Sequence, residues 1–228
     1  MTFQPTVMDL WNSPMKNTIA GFASINYRLS SYASHSNNPS SPEDPSRNVQ
    51  YPSHLSDVEN ALLYLDKEFQ ISNHYLLIGH SAGATMALEL QNPFLPIPAG
   101  LLCVSGIYNF ESFIKSHSAI PAYQEIMENA FPDKSLWEKA SPYTSYLLDL
   151  LYEKARMVVI SHSEEDELLE RMQPLYMLQR LDKGHLPKTN VHYLEASGAH
   201  DEIWRSGSIL AGLVTKSLGI LRDSSKAT

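Results

Sequence analysis

Cysteine is almost absent from this chain of 228 residues, where Cys103 stands alone. A single thiol forms no intramolecular bridge, so the fold cannot lean on disulfides and nothing points to an oxidising compartment. Its neighbours Leu101, Leu102 and Val104 predict a thiol buried in a strand rather than a reactive one. Positive charge is also scarce. Seventeen Lys and Arg are scattered against 25 Asp and Glu, for a net charge of −8, so a nucleic-acid backbone would be repelled. No apolar run approaches the roughly 20 residues of a membrane span, and no membrane partner is expected. Met1 to Leu10 has neither the basic start nor the apolar stretch of a signal peptide, which makes the cytoplasm the expected location. Metal-ligand spacings such as His-Glu-x-x-His or paired cysteines are missing, and no glycine-rich loop follows a strand to cradle phosphate. The chemistry therefore calls for neither metal nor other cofactor.

What is present is a globular composition, 43% hydrophobic and 18% charged, at a length that suits one domain. Short β-rich runs alternate with helical spacing. Strands are expected at Phe22–Arg28, His74–Ile78, Gly100–Ser105, Arg156–Ser161 and Val191–Leu194. Helices are expected at His54–Phe69, from Ala84 to Leu90, at Leu168–Leu181 and at Ile203–Leu221. Such alternation predicts an α/β fold with a mostly parallel sheet covered by helices on both faces. Residues 30–52, dense in Ser, Asn and Pro, read as a flexible polar loop. Residues 110–151, punctuated by Pro121, Pro132 and Pro142, read as short helices forming a lid-like insertion.

The sharpest chemical signal is Gly79-His80-Ser81-Ala82-Gly83, a G-x-S-x-G sequence with β-formers before it and small helix-starting residues after it. That context presents a serine hydroxyl on a tight strand-to-helix turn, with glycines expected on both sides because side chains there would collide. The Ala82 N–H, at the helix start, is the candidate oxyanion donor. The bland alternative is a tight turn with an idle serine.

A serine nucleophile needs a base oriented by a carboxylate, in the chain order Ser, acid, His. The fourth expected strand runs into Glu164-Glu165-Asp166-Glu167 and the fifth into His200. Asp166 is the favoured acid and Glu165 the runner-up, although acids before a helix also serve its dipole. His200, between Ala199 and Asp201 and just after Gly198, is the candidate base. His80 belongs to the turn and is expected to point away from the base. His162, at a strand end, reads as a surface residue or a substrate contact.

Several stretches together resemble the fungal kynurenine formamidases, which are α/β-hydrolases: Ala23–Ser30, Gly79–Thr85, Ser105-Gly-Ile-Tyr108, Ser163–Leu169 and Gly198–Trp204. The likeness runs from about Ile19 to the C-terminus. It implies hydrolysis of N-formyl-L-kynurenine to kynurenine and formate by Ser81, Asp166 and His200, on a small-molecule substrate and without cofactor. It also implies a homodimer as one state of assembly. Tyr27, Arg28, Tyr108 and Trp204 are candidate substrate contacts, by residue type alone.

One departure stands out. The family carries an H-G-G-x-W segment upstream of its Tyr-Arg-Leu strand, where backbone N–H groups build most of the oxyanion hole. Here the first glycine is Gly21, and no such motif occurs. The resemblance then implies missing or incomplete N-terminal strands and a gap beside the strand that leads to Ser81, as in an N-terminally shortened form. A broad carboxylesterase of the hormone-sensitive-lipase kind and a catalytically dead binding protein are the competing expectations.

Overall fold

Apolar residues along Gly100–Val104 and Met157–Ser163 leave neither face fit for water, and both segments are central strands buried throughout. The computed structural model describes residues 3–145, 151–183 and 190–224. Four strands, β1 (Leu76–His80), β2 (Gly100–Val104), β3 (Met157–Ser163) and β4 (Val191–Ala196), pair in that order and all run parallel. Between them, in chain order, the helices are α1 (Gln4–Trp11), α2 (Ser53–Phe69), α3 (Ala82–Glu89), α4 (Phe110–Ser116), α5 (Pro121–Ala130), α6 (Ser135–Ala140), α7 (Met172–Lys183), α8 (Glu202–Arg205) and α9 (Ser208–Ser224).

The period of two along a strand sorts the core into two layers. Leu101, Cys103, Val158 and Ile160 pack with Ala84, Leu88, Met177 and Leu181 of α3 and α7. Leu102, Val104, Met157 and Val159 point the other way, onto Ile203 of α8, Leu210 and Val214 of α9, and Leu10 of α1. A third cluster joins Leu55, Val58 and Leu62 of α2 to Met86 and Leu90, with Ile25 and Tyr27 packed at its margin. Because the strands are parallel, their C-terminal ends open on one face, and the loops after β1, β3 and β4 all emerge there.

Five features differ from the sequence expectations. Phe22–Arg28 is extended, with Ile25 and Tyr27 half-buried between exposed neighbours, but it is not a strand. Among the described residues, no backbone-to-backbone hydrogen bond engages residues 20–27. The alternation is real, but among the described residues no neighbouring strand turns it into a ladder. Residues 30–52 form a cross-braced loop rather than a loose one. Leu29 pairs with Ser46 and Val49, the Asn48 side chain donates to the Ser41 and Asp44 carbonyls, and Arg47 holds Asn38. Short polar side chains satisfy the backbone locally where apolar burial cannot.

The N-terminal stretch is structural. Helix α1 inserts Leu10 into the α9 layer, and Phe3 lies against the Trp204 ring. The C-terminal helix is broken at Gly207, whose φ of +82° suits glycine and whose missing Cβ lets Pro5 approach. Helix α7 starts at Met172 rather than Leu168, because Asp166 turns the chain by accepting from the Leu168 and Leu169 N–H groups. The lid-like region supplies α4, α5 and α6, with Pro121 opening α5; its residues 146–150 lie outside the described residues.

Candidate active site

Ser81 follows β1 at φ 54° and ψ −123°, a conformation that costs a non-glycine residue on the order of 1–3 kcal/mol. The turn is held by its surroundings. Ser81 N–H donates to the Val104 carbonyl of β2 (2.9 Å), and the Ser81 carbonyl accepts from Ala84 as α3 begins. A Cβ on Gly79 would stand 2.4 Å from the Gly83 carbonyl oxygen, so glycine is obligatory there. At Gly83 a Cβ would meet nothing within 4 Å, contrary to the expected need for glycine on both sides. Ala82 is exposed at the start of α3, and among the described residues nothing accepts from its N–H. That donor is free for an oxyanion.

Asp166 and His200 meet. The loops after β3 and β4 bring the His200 Nδ1 to 3.0 and 2.9 Å from the two carboxylate oxygens, with the Asp166 side chain fully buried and the imidazole nearly so. A carboxylate only accepts, so Nδ1 carries the hydrogen and Nε2 is left with a free lone pair. Burial alone would raise the Asp166 carboxyl, but the hydrogen bond and charge of His200, together with hydrogen bonds from the Ser105 hydroxyl and the Leu168 N–H, outweigh it and hold it below the usual carboxylate range. Its neighbours have separate tasks. Glu165 accepts from Gly198 N–H (3.1 Å) and Glu167 from His200 N–H (2.9 Å). Three consecutive acids thus grip one loop, and Glu165, the runner-up acid, holds backbone rather than imidazole.

His80 does not point away. Its ring lies 4.5 Å from that of His200, centroid to centroid, and its Nε2 bonds the His200 carbonyl oxygen at 3.1 Å. Among the described residues no hydrogen bond joins the Ser81 hydroxyl to His200, so the two are linked through His80. Catalytic contacts are commonly long before substrate binds.

The four candidate substrate contacts are placed elsewhere. Tyr108 is sealed in the core at 0% exposure, inside the α3–α7 layer. Trp204 sits in the α9 layer with its N–H donated to Asp201. Tyr27 packs at the margin of the α2 cluster, and Arg28 is forked onto Asp57 of α2 through Nε (2.9 Å) and a terminal nitrogen (2.7 Å). An aromatic or an arginine in a motif says nothing of which way it faces.

Two further residues lie near the site. Ser105, at φ 45° after β2, donates its N–H to Ser161 (2.9 Å) and directs its buried hydroxyl to the Asp166 carboxylate, which that contact helps to stabilise. His162, expected as a surface residue or a substrate contact, is buried on β3 with an unpartnered Nδ1, and burial pushes its pKa down. Only the position of each at a strand end hinted at this.

Comparisons with known proteins show what the chain is similar to. Residues 51–201 match the Prolyl oligopeptidase family. The chain is 32% identical to the kynurenine formamidase-like hydrolase fscH of Fusarium equiseti, over 97% of this chain and 78% of that protein. It is 33% identical to the kynurenine formamidase of Meyerozyma guilliermondii, over 77% of this chain and 69% of that one. A solved esterase/lipase from an uncultured bacterium superposes with a TM-score of 0.60 at 12% identity, covering 76% of this chain and 62% of its own, and shares the fold. The fscH match extends over 244 residues, more than the 228 of this chain. That relative therefore carries residues inside the matched span that are lacking here, and the likeness reaches forward of Ile19. With an α/β sheet, a strained serine turn and relatives of this identity and coverage, the chain belongs to the kynurenine formamidase family of α/β-hydrolases.

Proposed function

We propose that this protein hydrolyses N-formyl-L-kynurenine to kynurenine and formate, with Ser81 as nucleophile, His200 as base, Asp166 as its orienting acid and the Ala82 N–H as an oxyanion donor. The observation that carries it is the Asp166 carboxylate bonded to His200 Nδ1, which leaves Nε2 as a proton acceptor beside the Ser81 turn. His200 takes the Ser81 proton while Oγ bonds to the formyl carbon. The tetrahedral adduct collapses as the aryl nitrogen leaves with the proton returned by His200. Water, deprotonated by His200, then attacks the formyl ester, and Ser81 Oγ leaves formate with the proton returned by His200. Supporting the substrate are the names of the relatives, two kynurenine formamidases and a kynurenine formamidase-like hydrolase at 31–33% identity. The lone buried Cys103 suits a cytoplasmic location, and no helix among the described residues is long and apolar enough to cross a membrane.

One observation favours a second reading. Among the described residues β1 pairs on one side only and Ala82 is exposed, as expected of a weak enzyme or a binding protein on the same fold. Purified protein should release kynurenine from N-formyl-L-kynurenine faster than it cleaves p-nitrophenyl acetate, and a fluorophosphonate should label Ser81. Labelling with preference for the ester would replace the formamidase by an esterase. Absence of both turnover and labelling would sink the enzymatic proposal.

A further inference from the structure

The peptide unit and ring of His200 are held at three points, and only one of them is the orienting acid. Asp166 takes Nδ1–H, Glu167 takes the backbone N–H, and the backbone carbonyl is taken by His80, one residue from the proposed nucleophile. A carbonyl cannot donate, so His80 must carry hydrogen on Nε2 and donate from it. Its ring also lies against the imidazole of His200 at 4.5 Å and 51°, which limits the tilt of the base. Burial, then the nearby His200, push the His80 pKa down to about 4, against the opposing pull of the His200 carbonyl, Asp166 and Asp201. His80 is accordingly neutral over the working range of a serine hydrolase.

The bond crosses 120 residues of sequence and joins the turn after β1 to the loop after β4. Among the described residues β1 and β4 are the two edges of the sheet, with β2 and β3 between them. The strands alone therefore set the distance between turn and base loosely. We infer that His80 is a positioning residue that locks the His200 loop to the Ser81 turn, through a hydrogen bond to the His200 carbonyl and ring contact with its imidazole.

The inference rests on the proposed roles of Ser81 and His200, and its test separates the two. His80→Phe keeps a ring and removes the donor, whereas His80→Gln restores an N–H at about the reach of Nε2. Kinetics on N-formyl-L-kynurenine, fluorophosphonate labelling rates and melting temperatures would be measured for each. In parallel, the low-field proton resonance of His200 Nδ1–H against Asp166 would be followed by NMR, which needs no substrate. Misplacing a reacting group by about 1 Å costs on the order of 100-fold. We expect His80→Phe to lose about 10- to 100-fold in kcat and labelling rate, with KM and melting temperature near wild type and the Nδ1–H resonance broadened. His80→Gln should recover most of the rate and the sharp resonance. Full activity with an unchanged resonance in His80→Phe would overturn the inference, as would equal losses in both variants. A wild-type chain without turnover or labelling would sink the triad assignment instead, while the resonance would still report whether His80 holds the loop.

Discussion

His200 follows β4, next to the strand that leads into the acid tract, and its ring, N–H and carbonyl are each bonded. Ser81 follows β1, which among the described residues has, like β4, a hydrogen-bonded neighbour on one side only, and beside it Ala82 and Ile78 are exposed, the latter at 39% in mid-strand. The end that carries the proposed base is the more tightly held, because three consecutive acids after β3 bond the His200 loop. The turn that carries the proposed nucleophile is held by the Ser81 bond to β2 and by the close approach of Gly79 to Gly83. Among the described residues β1 and β4 are both edge strands with one neighbour each, so the two ends differ in the loops that brace them and not in the number of flanking strands.

The largest effect expected on the base end is from Asp166→Asn, which keeps the shape but favours the wrong imidazole tautomer; kcat should fall by about 10,000-fold, read by kynurenine release. The nucleophile end is best probed at its two glycines. Gly79→Ala forces a Cβ to within 2.4 Å of backbone, so it should destabilise the protein by about 3 kcal/mol or more in urea unfolding and remove Ser81 labelling. Gly83→Ala meets open space inside a helix and should gain about 0.4–1 kcal/mol with labelling intact. Equal effects of the two would mean that the turn is not packed as described.

Glu89, buried at the end of α3 with Oε1 unpartnered, has its carboxyl pKa raised well above the ordinary value by burial. A folded-state pKa above the unfolded one makes wild-type stability greatest below the unfolded pKa and erodes it as pH rises through the folded pKa. Glu89→Met should remove that slope and add about 1–3 kcal/mol at neutral pH, measured by urea titrations at several pH values. The smallest effect contrasts the edge with the centre. Ile78→Lys should change stability by less than about 0.5 kcal/mol while reducing self-association by light scattering, whereas Ile160→Lys on β3 should unfold the chain. A large loss at Ile78 would show that the β1 edge is covered.

Much of this was legible in residue order. The strand–turn–helix around Ser81 announces itself because backbone strain demands Gly79, and the two central strands because an unbroken apolar run has no other place. Segment Phe22–Arg28 misled for an instructive reason: its alternation reports which side chains are buried, while a strand also needs a partner, which lies elsewhere in the chain. Helix α1 was missed because its pattern is short and its one deeply buried apolar anchor, Leu10, gains meaning only against α9.

By itself the sequence determined the order of strands and helices, the strained serine, and the presence of an acid tract and a histidine after later strands, since these follow from local sterics and hydrophobic periodicity. Tertiary structure alone decided which of four acids meets the imidazole, that His80 turns toward the base, and that Tyr108 and Trp204 serve the core. Those outcomes depend on the directions in which loops far apart in the chain leave a common sheet, and no periodicity records a direction.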